Sequence, residues 1–128
     1  MSIELVHSVR DRILPMLDVV AKEYRFRVPA GYPVVTDLPL QGTVGIELDP
    51  DHSLYLVAEG DDLFADFYFR SSRYDTRATA SREKFGGSSV QDRRPVSPEI
   101  SDQGLRNLVA ELCSRFNSQQ TLIHITDT

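Results

Sequence analysis

Three histidines, one cysteine, two acidic turns, a glycine pair and an aromatic–basic run are the features of this 128-residue chain whose chemistry could exceed a structural role. Each needs partners at a fixed spacing. His7, His52 and His124 stand far apart, and no H-E-x-x-H or C-x-x-C surrounds them, so no zinc set is spelled out. His7 falls near an apolar helical face, His52 in a turn, and His124 between Ile123 and Ile125. A structural or solvated role is expected for each. The turns Asp49-Pro50-Asp51-His52 and Glu59-Gly60-Asp61-Asp62 carry carboxylates that could attract a divalent cation. A strand of about seven residues separates them by roughly 20–25 Å at ~3.4 Å per residue. Neither turn supplies enough oxygens for a calcium loop. Both are expected to be solvated, and no metal or cofactor is expected.

Nucleophilic chemistry has little to build on. Cys113 lies between Leu112 and Phe116, beside an apolar helical face where a thiol behaves as a small inert hydrophobe. No G-x-S-x-G elbow exists, and Ser81, Ser88 and Ser89 have no histidine near them in sequence. Gly86-Gly87-Ser88-Ser89 follows Lys84 but lacks the phosphate-loop spacing, so a hairpin turn is expected. No catalytic residue is assigned, and the balance leans against an enzyme. The run Phe64, Phe67, Tyr68, Phe69, Arg70, Arg73, Tyr74 and Arg77 has the composition of a base-stacking surface. Alternation sends Phe67 and Phe69 to the core side, however, and an acidic strand lies beside the rest. Nucleic acid is therefore not the expected partner, because attraction to phosphate dominates such binding.

The elements that would position these groups follow from periodicity. Leu5, Val6, Val9, Ile13, Met16, Leu17, Val20 and Tyr24 recur at helical steps and predict an N-terminal helix, kinked at Pro15. Residues 29–42 carry three prolines and two glycines and predict a connector, with at most a short edge strand over Val34–Thr36. The period then becomes two over residues 43–49, 53–60 and 63–70. Three alternating runs joined by turn residues predict an antiparallel meander. A fourth strand is expected over residues 73–85 and a fifth within 88–96, ending before Pro95. Ser97-Pro98-Glu99 signals a helix start, with Ser101 as a second candidate cap. Leu105, Leu108, Val109, Leu112 and Phe116 form its apolar face, and Asn117 is a suitable stop. Residues 121–126 read as a final strand.

The expected fold is a single α+β domain: an antiparallel meander of about five strands with an N-terminal and a C-terminal amphipathic helix packed on one face. That face carries Ile46, Leu56 and Phe67. Eight acids and no Lys or Arg lie between Asp37 and Asp66, whereas seven bases and three acids lie between Arg70 and Arg94. Adjacent strands attracting each other across the sheet explain this better than a dedicated binding stripe. The net charge of −5 argues against a general nucleic-acid or anionic-membrane binder. Glu4, Arg10, Asp11 and Asp18 interrupt every apolar run of the N-terminus, so neither a signal peptide nor a membrane span is expected. With one cysteine, a reducing cytoplasmic setting fits.

The function class that follows is a non-catalytic binding or protein-interaction domain. Its face would be the outer side of the sheet, carrying Tyr55, Val57, Phe64 and Tyr68, with Arg70 and Arg77 beside them. A protein partner or a second copy would dock there. The competing class is a small-molecule site, possibly enzymatic, between the sheet and the connector 29–42, anchored by Arg70, Arg77, Tyr68 and His124.

Overall fold

The structure is a computed structural model that describes residues 2–69 and 92–126, with side chains over 4–69 and 92–118. Helix α1 spans Ser2–Tyr24 and buries Val6, Val9, Ile13, Leu17, Val20 and Tyr24, each three or four residues after the last. This is the expected stripe, with Leu5 and Met16 at its margin. The helix runs unbroken through Pro15, which lies on the exposed side. There the carbonyl that a proline leaves without a donor can turn to water.

Five strands follow: β1 (Val34–Leu38), β2 (Thr43–Asp49), β3 (His52–Glu59), β4 (Asp62–Phe69) and β5 (Asp92–Val96). A 3₁₀ turn, Pro39–Gln41, links β1 to β2. The strands pair antiparallel in the order β1-β2-β3-β4-β5, so the sheet is a meander with β1 and β5 at its edges. Helix α2 spans Asp102–Thr126. Both helices cover one face. Val44, Ile46, Leu48, Leu54, Leu56, Leu63, Ala65 and Phe67 from the sheet meet the α1 stripe and Leu105, Val109, Leu112 and Phe116 of α2 in one core. Burial of a side chain the size of Leu or Phe contributes about 2 kcal/mol, so this face dominates stability. Among the described residues no helix is long and apolar enough to cross a membrane.

Four local expectations change. Pro95 lies inside β5 rather than beyond it, paired with Phe64. It is tolerated because β5 is an edge strand, where a missing N–H costs no ladder bond. Helix α2 starts at the second candidate cap. Ser101 Oγ accepts from the Gly104 N–H at 3.0 Å, whereas Ser97 Oγ accepts from the Glu99 N–H in the preceding turn. Gly104 fits this start because a Cβ there would lie 2.6 Å from Ile100 Cγ1. Residues 121–126 continue α2 instead of forming a strand, and Asn117 does not stop it. Six alternating residues carry little weight when no turn residue precedes them, and extending a formed helix costs less than starting a new element. The strand expected over 73–85 and the turn at Gly86-Gly87 lie outside the described residues.

Candidate functional site

The side of the sheet away from the helices is built of cross-strand rows. One row runs Thr36, Gly45, Tyr55, Asp66, Arg93 across all five strands. Beside it run Val34, Glu47, Ser53, Tyr68 on one flank and Leu38, Thr43, Val57, Phe64, Pro95 on the other. Residues directly opposite in an antiparallel pair touch, so each row is a contact chain.

At the centre, Tyr55 lies over Gly45. A Cβ at Gly45 would come within 2.6 Å of Tyr55 Cδ1 and 2.2 Å of the Leu54 carbonyl oxygen, so the ring occupies the space a side chain would need. The Tyr55 hydroxyl donates to Glu47 Oε1 at 2.7 Å. Its ring meets that of Tyr68 edge to face, with centroids 5.7 Å apart. Burial, then the Glu47 carboxylate, push the Tyr55 phenol well above its usual range, partly offset by the Thr36 and Ser53 hydroxyls. Burial raises Tyr68 as well, with the Asp66 charge adding to it.

Asp66 is 1% exposed although it belongs to this outer face. Arg93 seals it with two hydrogen bonds of 2.7 Å, from Nε and Nη2. The same guanidinium contacts Glu59 at 2.5 Å and lies 4.7 Å from the centre of the Phe64 ring. The expected attraction between acidic and basic segments is thus realised between β4 and β5, at a buried acid rather than a solvated one. On the opposite face Arg94 binds Glu111 of α2 with both ends of its fork (Nη1 to Oε1 at 2.6 Å), tying the β5 edge to the helix layer.

Beyond Tyr55 and Tyr68 the outer face opens into a cleft of about 510 Å³. Tyr32 of the connector, Glu47, Pro50, Asp51, Ser53, Tyr55 and Tyr68 line it. Such a volume lies within the range of small-ligand pockets, roughly 300–1,000 Å³. The β1–β2 register accounts for Tyr32: Val34 pairs with Glu47, so the residues just before β1 pass the same end of β2.

Of the six residues assigned to this face from sequence, Tyr55 and Tyr68 stand together in the cleft wall. Val57 and Phe64 pair with each other one row away, with Phe64 beneath Arg93. Arg70 and Arg77 lie outside the described residues, and His124 sits in α2. Sequence reasoning passed over Glu47 and Ser53 as site residues, although their alternation places them on this side. Nothing in the local sequence marks Tyr32; only the pairing of β1 brings it in.

The turn before β3 needs correction. Asp49 and His52 are each 3% exposed, not solvated. The register shifts between Glu47 and Asp49, so Leu48 and Asp49 together oppose His52. This bulge turns Asp49 to the core side. His52 Nδ1 lies 2.8 Å from Asp49 Oδ1, which also accepts the Asp51 N–H at 2.8 Å. The His52 ring packs edge-on against Phe69 and Phe116, and its Nε2 has no hydrogen-bond partner. Among the described residues no three His, Cys, Asp or Glu side chains are grouped to hold a metal ion.

Cys113 lies half-buried in α2 near Tyr24. Burial pushes its thiol up, away from nucleophilic character, with a hydrogen bond to the Tyr24 hydroxyl acting the other way. No family model, curated protein or solved structure matches the chain, so the reading of the cleft rests on its own side chains.

Proposed function

We propose that the chain is a non-catalytic binding domain that takes a small ligand or side-chain group on the outer face of its sheet. The carrying observation is the cleft of about 510 Å³ walled by Tyr32, Tyr55 and Tyr68 with Glu47 and Ser53 between them. Phenol rings and hydroxyls on a strand scaffold recognise ligands by contact area and hydrogen bonding, with little rotamer entropy lost. The side chains of the buried His52–Asp49 pair and the raised Cys113 thiol are not among the lining of this cleft. The carboxylates of Glu47 and Asp51 in the lining disfavour a phosphate-bearing partner.

Amide-resolved NMR of the labelled protein against a fragment library tests this. Saturable shifts should converge on Tyr32, Glu47, Ser53, Tyr55 and Tyr68, and Tyr68→Ala should abolish them. Hits scattered over the helix side, or no saturable hit, would reject the reading.

One further observation favours a macromolecular partner on the same face. Val34 and Leu38 of the edge strand β1 are 42% and 45% exposed and continue the outer rows. A second copy docking there would make a dimer. Sedimentation at micromolar concentration should show it, with Leu38→Lys returning it to monomer; a monomer throughout removes this second reading.

A further inference from the structure

Charge along the outer face is unevenly compensated. Asp66 and Glu59 share Arg93, and on the helix side of the sheet Asp37, opposite Val44, is held by a bidentate Arg10, with Nε and Nη2 at 2.8 and 2.7 Å. Glu47 differs. Its partner is the neutral Tyr55 hydroxyl, and no described cation pairs with it. A carboxylate offers about four lone-pair sites, and one phenol occupies one of them. Because burial and Glu47 itself hold the Tyr55 proton in place, the contact gives Glu47 a hydrogen bond but no neutralising charge.

Around Glu47 the described residues of the cleft lining include Tyr32, Tyr55 and Tyr68, and among the described residues no Lys, Arg or His lines it. Tyrosine faces are electron-rich and attract cations held within about 6 Å of the ring centre. The edge-to-face contact of Tyr55 and Tyr68 fixes their two rings nearly perpendicular, at 81°, so that they do not hide each other's faces by stacking.

We infer that the cleft on the outer face accepts an organic cation of the alkylammonium type, its ammonium set against Glu47 and the tyrosine rings. This rests on the binding face proposed above and names the charge of its ligand. The N–H groups of an ammonium would donate to the remaining lone pairs of Glu47, a charge-assisted contact about twice as strong as a neutral one. The alkyl part would lie along the rings of Tyr32 and Tyr68. A neutral ligand would leave the carboxylate uncompensated in a partly desolvated wall, and an anion would be repelled.

Three probes of one size separate the possibilities: butylammonium, 1-butanol and butyrate, each titrated into the labelled full chain and followed by NMR. Butylammonium should shift Tyr32, Glu47, Ser53, Tyr55 and Tyr68 saturably. Glu47→Gln should weaken it about tenfold, the loss of one charge-assisted contact. Tyr68→Leu, which leaves Glu47 intact, should weaken it severalfold through the lost ring. 1-Butanol should bind more weakly, and butyrate should not bind in the cleft. Equal binding of 1-butanol, or no effect of Glu47→Gln in a folded variant, overturns the cation while leaving the binding face standing. Preference for butyrate, or no response to butylammonium where other fragments do bind, does the same. If the fragment library also leaves the cleft silent, both readings fall.

Discussion

His52 and Asp49 form a buried pair with Nδ1 and Oδ1 2.8 Å apart, beneath the ring of Phe116. A carboxylate only accepts, so the ring donates from Nδ1, and the buried Nε2 has no hydrogen-bond partner. Asp49 in turn fixes the Asp51 N–H and so the shape of the turn that begins the cleft wall. One side chain therefore serves the core on one side and the candidate site on the other.

Asp49→Ala should destabilise the fold by about 2–4 kcal/mol, because it strands the His52 Nδ1–H and the Asp51 N–H at once. The double variant Asp49→Ala/His52→Phe should recover part of that loss, since phenylalanine fills the ring volume without leaving a donor unpaired. Urea unfolding of these two variants, of His52→Phe alone and of the parent measures it. Additive costs would show that the pair is not coupled.

Arg10 and Asp37 give the sign of the acid dependence. The Arg10 guanidinium holds the Asp37 carboxyl below its ordinary value near 3.8, by hydrogen bonding first and charge second. The folded state thus binds this proton less readily than the unfolded chain. Its contribution is present above the unfolded value and is lost as pH falls through the lower folded one. Asp37→Asn should flatten the stability curve below about pH 4, measured by melting across pH; an unchanged curve would remove Asp37 from the acid transition.

The tyrosines set the alkaline limit. Burial raises Tyr55 most, and Tyr24 and Tyr68 in the same direction. For each, the protonated phenol is favoured by the fold. The stability this supplies is complete below the ordinary value of 10.0 and is lost as pH rises through the folded values. Absorbance at the phenolate band should show Tyr24, Tyr55 and Tyr68 titrating late, released together on unfolding. Five ordinary titrations would contradict the packing of the outer face.

Much of this arrangement was legible in the sequence. Alternation through residues 43–69 identified the core side at Ile46, Leu56 and Phe67, all fully buried, and the outer side at Tyr55 and Tyr68. Both depend on a period that local backbone geometry enforces. What escaped depends on register. A one-residue bulge reverses the side to which Asp49 points, and no residue type at 47–49 announces it. Tyr32 reaches the cleft through pairing between β1 and β2, and the burial of Asp66 through Arg93, 27 residues away. The end of α2 escaped for another reason: a short alternating run after a helix fits either period.

Gly45 offers the sharpest check on the cleft, because it couples backbone and site at one position. The Cβ of Gly45→Ala would stand 2.2 Å from the Leu54 carbonyl oxygen and 2.8 Å from Tyr55 Cα. Neither is the end of a flexible side chain, so β2 and β3 must separate or Tyr55 must tilt away. Overpacking of this kind costs about 1–3 kcal/mol, and backbone contacts place it at the upper end. Tilting Tyr55 would also break its bond to Glu47 and its edge contact with Tyr68. Gly45→Ala should therefore lower the melting temperature and, where still folded, return the Tyr55 phenol toward its ordinary value. A variant as stable as the parent, with the same late tyrosine titration, would mean that the ring does not rest on the β2 backbone, and the wall of the cleft would have to be redrawn.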